Sequence, residues 1–178
     1  LNNEKGDMKV KIHSRNFDTE YKTALFAMCE YAMAKLVPSK RLRNNIKIDV
    51  HLRHHCNDGE AMLHKDTNRY RPRHFKVIID YHRHEVDDYG RKRDATEWSH
   101  KVLQTLAHEL VHVKQYVTSE LVWRDAGLLY KGVNHDPDNL VEYFDLPYEI
   151  EAYGRERGLL VTFLAFWKQA IEENDFEF

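Results

Sequence analysis

Five consecutive residues constrain this chain more than any others: His108-Glu109-Leu110-Val111-His112. They lie inside a run from Val102 to Val117 in which Leu103, Leu106, Ala107, Leu110 and Val117 recur at helical spacing. Residues four apart on a helix stand one turn above each other on the same face, so both imidazoles can point at one ion. Glu109, one step on from His108, then reaches the open side of that site. Zinc takes imidazole nitrogen readily, and a carboxylate beside its water can accept a proton. Asp94, with Glu97 three residues later, reads as a capping box just ahead of the run. The competing reading is a helix with incidental histidines, since the chain has 12 of them. The apolar anchoring stripe and the cap favour the metal site.

Around this helix the pattern is mixed. Met8 to His13 alternates as a short half-buried strand, and Asp18 opens a helical stretch to about Leu36 that Pro38 ends. Asn45 to His54 is the cleanest strand, with Ile46, Ile48, Val50 and Leu52 facing one way. Asn57-Asp58-Gly59 signals a turn, Ala61 to His64 a short strand, and Phe75, Val77, Ile79 and Tyr81 another alternating strand. Arg83 to Arg93 is polar enough to be a loop or an extended edge. Asp125-Ala126-Gly127 between apolar flanks suggests a small hairpin, and Gly132 to Asn139 a loop. Pro147 sits in the first turn of a long helix whose inward face is expected to be Ile150, Tyr153, Arg157, Leu160, Leu164, Trp167 and Ile171. Gly154 and Gly158 on that side would let another helix approach or let this one kink.

Two histidines do not hold a catalytic zinc, so a third ligand is required. Glu149, Glu151 and His135 are the candidates. Two steps along a helix turn a side chain by roughly 160–200°, so Glu149 and Glu151 cannot both bind one ion. The cluster His51, His54, His55, Cys56 invites a second metal reading, but strand neighbours point to opposite faces and no C-x-x-C stands near.

His108 to Tyr116, together with Leu146-Pro147-Tyr148-Glu149-Ile150-Glu151-Ala152-Tyr153, resembles the two motifs of the gluzincin branch of the zincin metallopeptidases. The resemblance extends to small single-domain proteins of this kind found in phages and bacteria. It implies a minimal zincin-like α+β domain, in which a small mixed sheet packs on the H-E-x-x-H helix and a C-terminal helix supplies the third ligand. It implies one zinc per chain held by His108, His112 and Glu149, and peptide hydrolysis through a metal-activated water with Glu109 as general base. It puts Tyr153 where the family carries an acid that braces a zinc histidine. Tyrosine is not an acid, so its hydroxyl is a candidate donor to the oxyanion, as are His135 and Tyr130. Extended substrate would lie along an exposed strand, for which Ala61 to Lys65 is the choice. A second resemblance, to SprT-like proteases acting on DNA-bound proteins, would use His135 as third ligand. A zinc-binding module without activity is the third reading, and Glu109 argues against it.

A length of 178 residues is the expectation of one domain, with residues 1–7 an expression-tag remnant or disordered lead-in before Met8. The 42% hydrophobic and 31% charged content is that of a soluble globular chain. Cys29 and Cys56 imply no disulfide framework. No signal-like segment and no apolar run of spanning length appear, so a cytoplasmic monomer without membrane contact is expected, phage-encoded by resemblance. Residues 40–93 carry +6 and residues 94–178 carry −9. The resemblance makes protein or peptide the expected partner, and the basic middle adds nucleic acid as a candidate.

Overall fold

The computed structural model describes residues 8–14, 17–55, 57–124, 127–135 and 140–173. Residues 1–7, Cys56, Asp125 and Ala126 of the hairpin turn, and part of the 132–139 loop lie outside them. The architecture is α+β. Four strands, β1 (Lys9–His13), β2 (Lys47–Leu52), β3 (Gly59–Leu63) and β4 (His74–Ile79), form a mixed sheet in the order β1-β2-β4-β3. The first three neighbours run parallel and β3 runs antiparallel on the edge. Parallel pairing of β1 with β2 needs a crossover, which α1 (Thr19–Leu36) and the short α2 (Lys40–Arg43) supply.

Alternation along each strand decides which face is covered. Val10, Ile48, Val50, Leu52, Phe75, Val77 and Ile79 are buried, and they meet Leu25, Met28, Ala32 and Met33 of α1 in one core. The same core takes the apolar stripe of α3 (Ala95–Val117): Leu103, Leu106, Ala107, Leu110 and Val117 are all buried. Asp94 caps α3 as expected, its carboxylate accepting from Glu97 N–H while the Glu97 side chain accepts from Asp94 N–H. Such caps contribute about 1 kcal/mol and fix where the helix starts, and with it the register of His108 and His112.

After α3 come the hairpin β5 (Leu121–Arg124) and β6 (Gly127–Tyr130), with β7 (Val133–Asn134) added to make a small antiparallel sheet. The chain then passes through α4 (Leu140–Phe144) and returns along α5 (Pro147–Glu173), which packs across α3. No helix among the described residues is long and apolar enough to cross a membrane.

The inward face of α5 differs from the expected one. The buried residues are Tyr148, Glu149, Ala152, Glu156, Leu159, Leu160 and Phe163, while Ile150 is 56% and Tyr153 45% exposed. Two glutamates point inward and two large apolar residues outward, so hydrophobic periodicity is rotated by one position in the first turns. Gly154 and Gly158 have open space where a side chain would stand, so neither admits a neighbouring helix. The polar segment after β4 holds a single 3₁₀ turn, Arg83–Glu85, closed by a bridge between Val86 and Lys92.

Candidate metal centre

The α3–α5 contact brings three ligating side chains to one buried point. His108 Nε2 and His112 Nε2 lie 3.2 Å apart, Glu149 Oε2 is 3.2 Å from His108 Nε2, and Glu149 Oε1 is 3.5 Å from His112 Nε2. A tetrahedral zinc with bonds of about 2.0–2.2 Å separates its donors by about 3.3–3.6 Å. These separations lie within about 0.1 Å of that range, the two from Glu149 through different carboxylate oxygens, and the group could hold a metal ion.

The far sides of both imidazoles are tied. His108 Nδ1 is 2.8 Å from Glu156 Oε2, and His112 Nδ1 is 2.9 Å from Gln115 Oε1. Gln115 donates through Nε2 to the carbonyl of Tyr148 and to Glu151, so its oxygen must face the imidazole. With acceptors at both Nδ1 atoms, each ring keeps a proton there, so a metal ion that displaced the Nε2 proton would meet an Nε2 lone pair turned inward. Carboxylate or carbonyl partners of this kind fix the tautomer and orientation of metal-binding histidines. Glu156 in turn accepts from Gln104.

The charge balance favours a cation at the centre. Burial works against ionisation of Glu149, but hydrogen bonds from His108 and His112 win and hold its carboxyl at about 2. Burial would likewise discharge His108, yet Glu149 and Glu156 raise it to about 9. His112 is also raised, burial being outweighed by Glu149 and Glu109. Three carboxylates around two imidazoles thus bind positive charge, and a divalent ion would release the protons that otherwise supply it.

Glu109 is 5% exposed and faces a different neighbourhood. Burial raises its pKa above the ordinary carboxylate range, with both imidazoles pulling the other way, and the Ala61 backbone N–H on β3 donates to it. It opens into a cleft of about 460 Å³ that Gly59, Lys101, His108, Tyr143, Tyr153 and Glu156 help to line. His84, 1% exposed, bonds the Thr105 hydroxyl at 3.0 Å one turn before His108. Burial keeps it neutral, at about 4, so it props the helix without adding charge.

Of the three candidates for the third ligand, Glu149 alone reaches the site. Glu151 points away, as its two-residue offset requires, into Lys114 at 2.9 Å, Gln115 at 3.1 Å, Tyr130 hydroxyl at 3.2 Å and Arg155 at 2.9 Å. His135 sits beside the Tyr130 ring, 6.5 Å between centroids, and is not part of the group. Tyr153 does not brace a histidine through a hydrogen bond. Its ring packs on His108 with centroids 4.5 Å apart, and Glu156 holds the bracing position, because seven residues rather than four complete two turns from Glu149. Tyr130 spends its hydroxyl on Glu151, whereas the Tyr143 hydroxyl bonds Glu149 at the cleft.

His51, His54 and His55 do not converge. His51 stacks on His13, the His54 ring and the His55 N–H both meet Asp80, and His55 Nε2 meets Glu60. Sequence reasoning missed Glu156, Gln115, Tyr143, Gly59 and His84. A signal existed for two of them, at i+7 from Glu149 and i+3 from His112, both on the helix face already in use. No family model matches the chain, and no curated protein or solved structure matches it either.

Proposed function

We propose that the chain is a small zinc metallopeptidase of the zincin type, gluzincin-like in its ligand set, that hydrolyses peptide bonds with Glu109 as general base. The observation that carries the reading is the buried His108–His112–Glu149 triangle with both Nδ1 atoms capped, next to a buried carboxylate that is not part of it. Capping by Glu156 and Gln115 suits catalysis as well as structure, but a purely structural site has no use for Glu109. A zinc held by these residues would act as a Lewis acid toward a carbonyl and lower the pKa of a water.

The chain's own groups do the rest. Glu109, its pKa raised by burial, takes a proton from the attacking water at its carboxylate and returns it to the leaving amine. Ala61 N–H holds that carboxylate in place. Tyr153, its ring set by His108 and Phe144, offers a hydroxyl to the oxyanion across the cleft, while the Tyr143 hydroxyl is held by Glu149. β3 is the sheet's edge and sits against Glu109, so an extended substrate pairs with it by strand addition. Wild type is expected to cleave members of a peptide library, to stop when a chelator removes the metal, and to recover with added zinc. Cleavage that ignores chelation would contradict the reading, as would a zinc-loaded protein that cleaves nothing in the library.

Gly59 provides a separate lever on the base. A methyl group there would lie 2.6 Å from Glu109 Oε1 and 2.7 Å from Thr105 Cγ2, and both neighbours sit on a packed helix. Gly59→Ala is expected to push Glu109 off its position, lowering turnover while zinc stays bound, and to cost about 1–3 kcal/mol through overpacking. Unchanged turnover with unchanged melting temperature would show that β3 does not position the base.

A further inference from the structure

The outer face of the main sheet, turned away from α1 and α3, carries a second set of metal-ligating side chains. Asp49 lies on β2, His74 opens β4, and His64 follows β3 directly. Alternation puts them together: Ile48, Val50, Phe75 and Leu63 point inward, so their neighbours Asp49, His74 and His64 point out. His64 N–H donates to the His74 carbonyl at 3.0 Å, which fixes these two backbones side by side. The His64 and His74 rings stack at 3.8 Å, and His74 Nε2 is 2.6 Å from Asp49 Oδ2. One donor atom from each of the three lies within 4.8 Å of the others.

We propose that Asp49, His64 and His74 form a second metal site, for a borderline divalent ion such as zinc, nickel or copper, which staples the base of the β3–β4 loop. Two imidazoles with one carboxylate select that class of ion over magnesium or calcium, which prefer oxygen donors throughout. Two of the three ligands stand on hydrogen-bonded parallel strands, so only the rings need to turn to converge. All three are half-buried, which spares part of the dehydration cost that freely exposed side chains would not share. Asp66 flanks the group beside His64, its N–H 3.3 Å and its carboxylate 3.4 Å from Nδ1. His13 Nε2, 3.3 Å from Asp49 Oδ1, flanks the group on β1.

The site differs from the buried centre in its surroundings. Lys47 stands opposite His74 and Lys76 opposite Asp49, and these cations oppose a dication. Binding is accordingly weaker than at His108, His112 and Glu149. The ion would clamp together the two ends of the 65–73 segment, since His64 and His74 bracket it. This inference stands independently of peptidase activity.

The test uses the full chain stripped of metal and titrated calorimetrically with zinc beyond two equivalents. A second, weaker 1:1 step is expected. His74→Ala and Asp49→Ala should lose that step and keep the first, which doubles as proof that each variant is folded. His51→Ala removes an imidazole from the same face without touching the three donors, and should retain both steps. Magnesium in place of the second zinc should give no step. The proposal is overturned if wild type shows one step only, if the second survives both substitutions, or if His51→Ala abolishes it.

Discussion

Glu109→Gln is expected to keep the fold and the metal and to lose peptide hydrolysis by about 10²–10⁴-fold, the usual loss when a general base is removed. Glutamine matches glutamate in size and can still accept the Ala61 N–H through its amide oxygen, but it cannot take a proton as a base. The substitution also removes one negative charge from beside two imidazoles, so His108 and His112 lose part of the field that raises them. That effect favours the neutral, ligating form and should leave zinc affinity intact. The measurement is a paired assay of bound zinc and of the cleavage rate of any substrate found for wild type. Equal rates in the two proteins would remove Glu109 from the mechanism, whatever the zinc does.

The second large effect separates two glutamates only two positions apart. Glu149→Ala is expected to remove stoichiometric tight zinc, a greater loss than the roughly 10–100-fold typical of losing a supporting hydrogen bond. It deletes one corner of the triangle and leaves the two Nε2 atoms, 3.2 Å apart, without their anion. Glu151→Ala should leave the tight zinc bound. Its cost falls on stability, about 1–3 kcal/mol, because buried Gln115 and Tyr130 lose an acceptor and Lys114 keeps only Glu120. Metal content and a denaturant melt of the two variants give the comparison. The reverse ranking would mean that α5 presents its other face to α3.

These expectations depend unequally on what the sequence made legible. Helix α3 and its paired histidines were readable because everything they need is local: the i, i+4 spacing, the apolar stripe, and Asp94 capping through Glu97. Glu149 was readable through a motif resemblance, with helix geometry excluding a shared role for Glu151. The start of α5 was misread for a physical reason. Where a helix lends carboxylates to a buried site, its inward face carries Glu149 and Glu156, and apolar periodicity follows Ile150 and Tyr153 onto the solvent side instead. Glu156 was passed over because the bracing role was sought four residues from Glu149, at Tyr153, when the second full turn falls at seven. Gly59 and the Asp49–His64–His74 group lay beyond sequence reasoning altogether. They arise from strand register and from the close approach of β3 to α3, and neither leaves a local pattern.

The most direct test of the metal centre is anomalous scattering at the zinc edge from crystals grown with one equivalent of zinc. The account predicts a peak about 2.0–2.2 Å from the Nε2 atoms of His108 and His112 and from a Glu149 carboxylate oxygen, with Glu109 outside bonding distance and Glu156 still on His108 Nδ1. A peak bonded to Glu109, Glu151 or His135 in place of Glu149, or no peak between the two histidines, would contradict it.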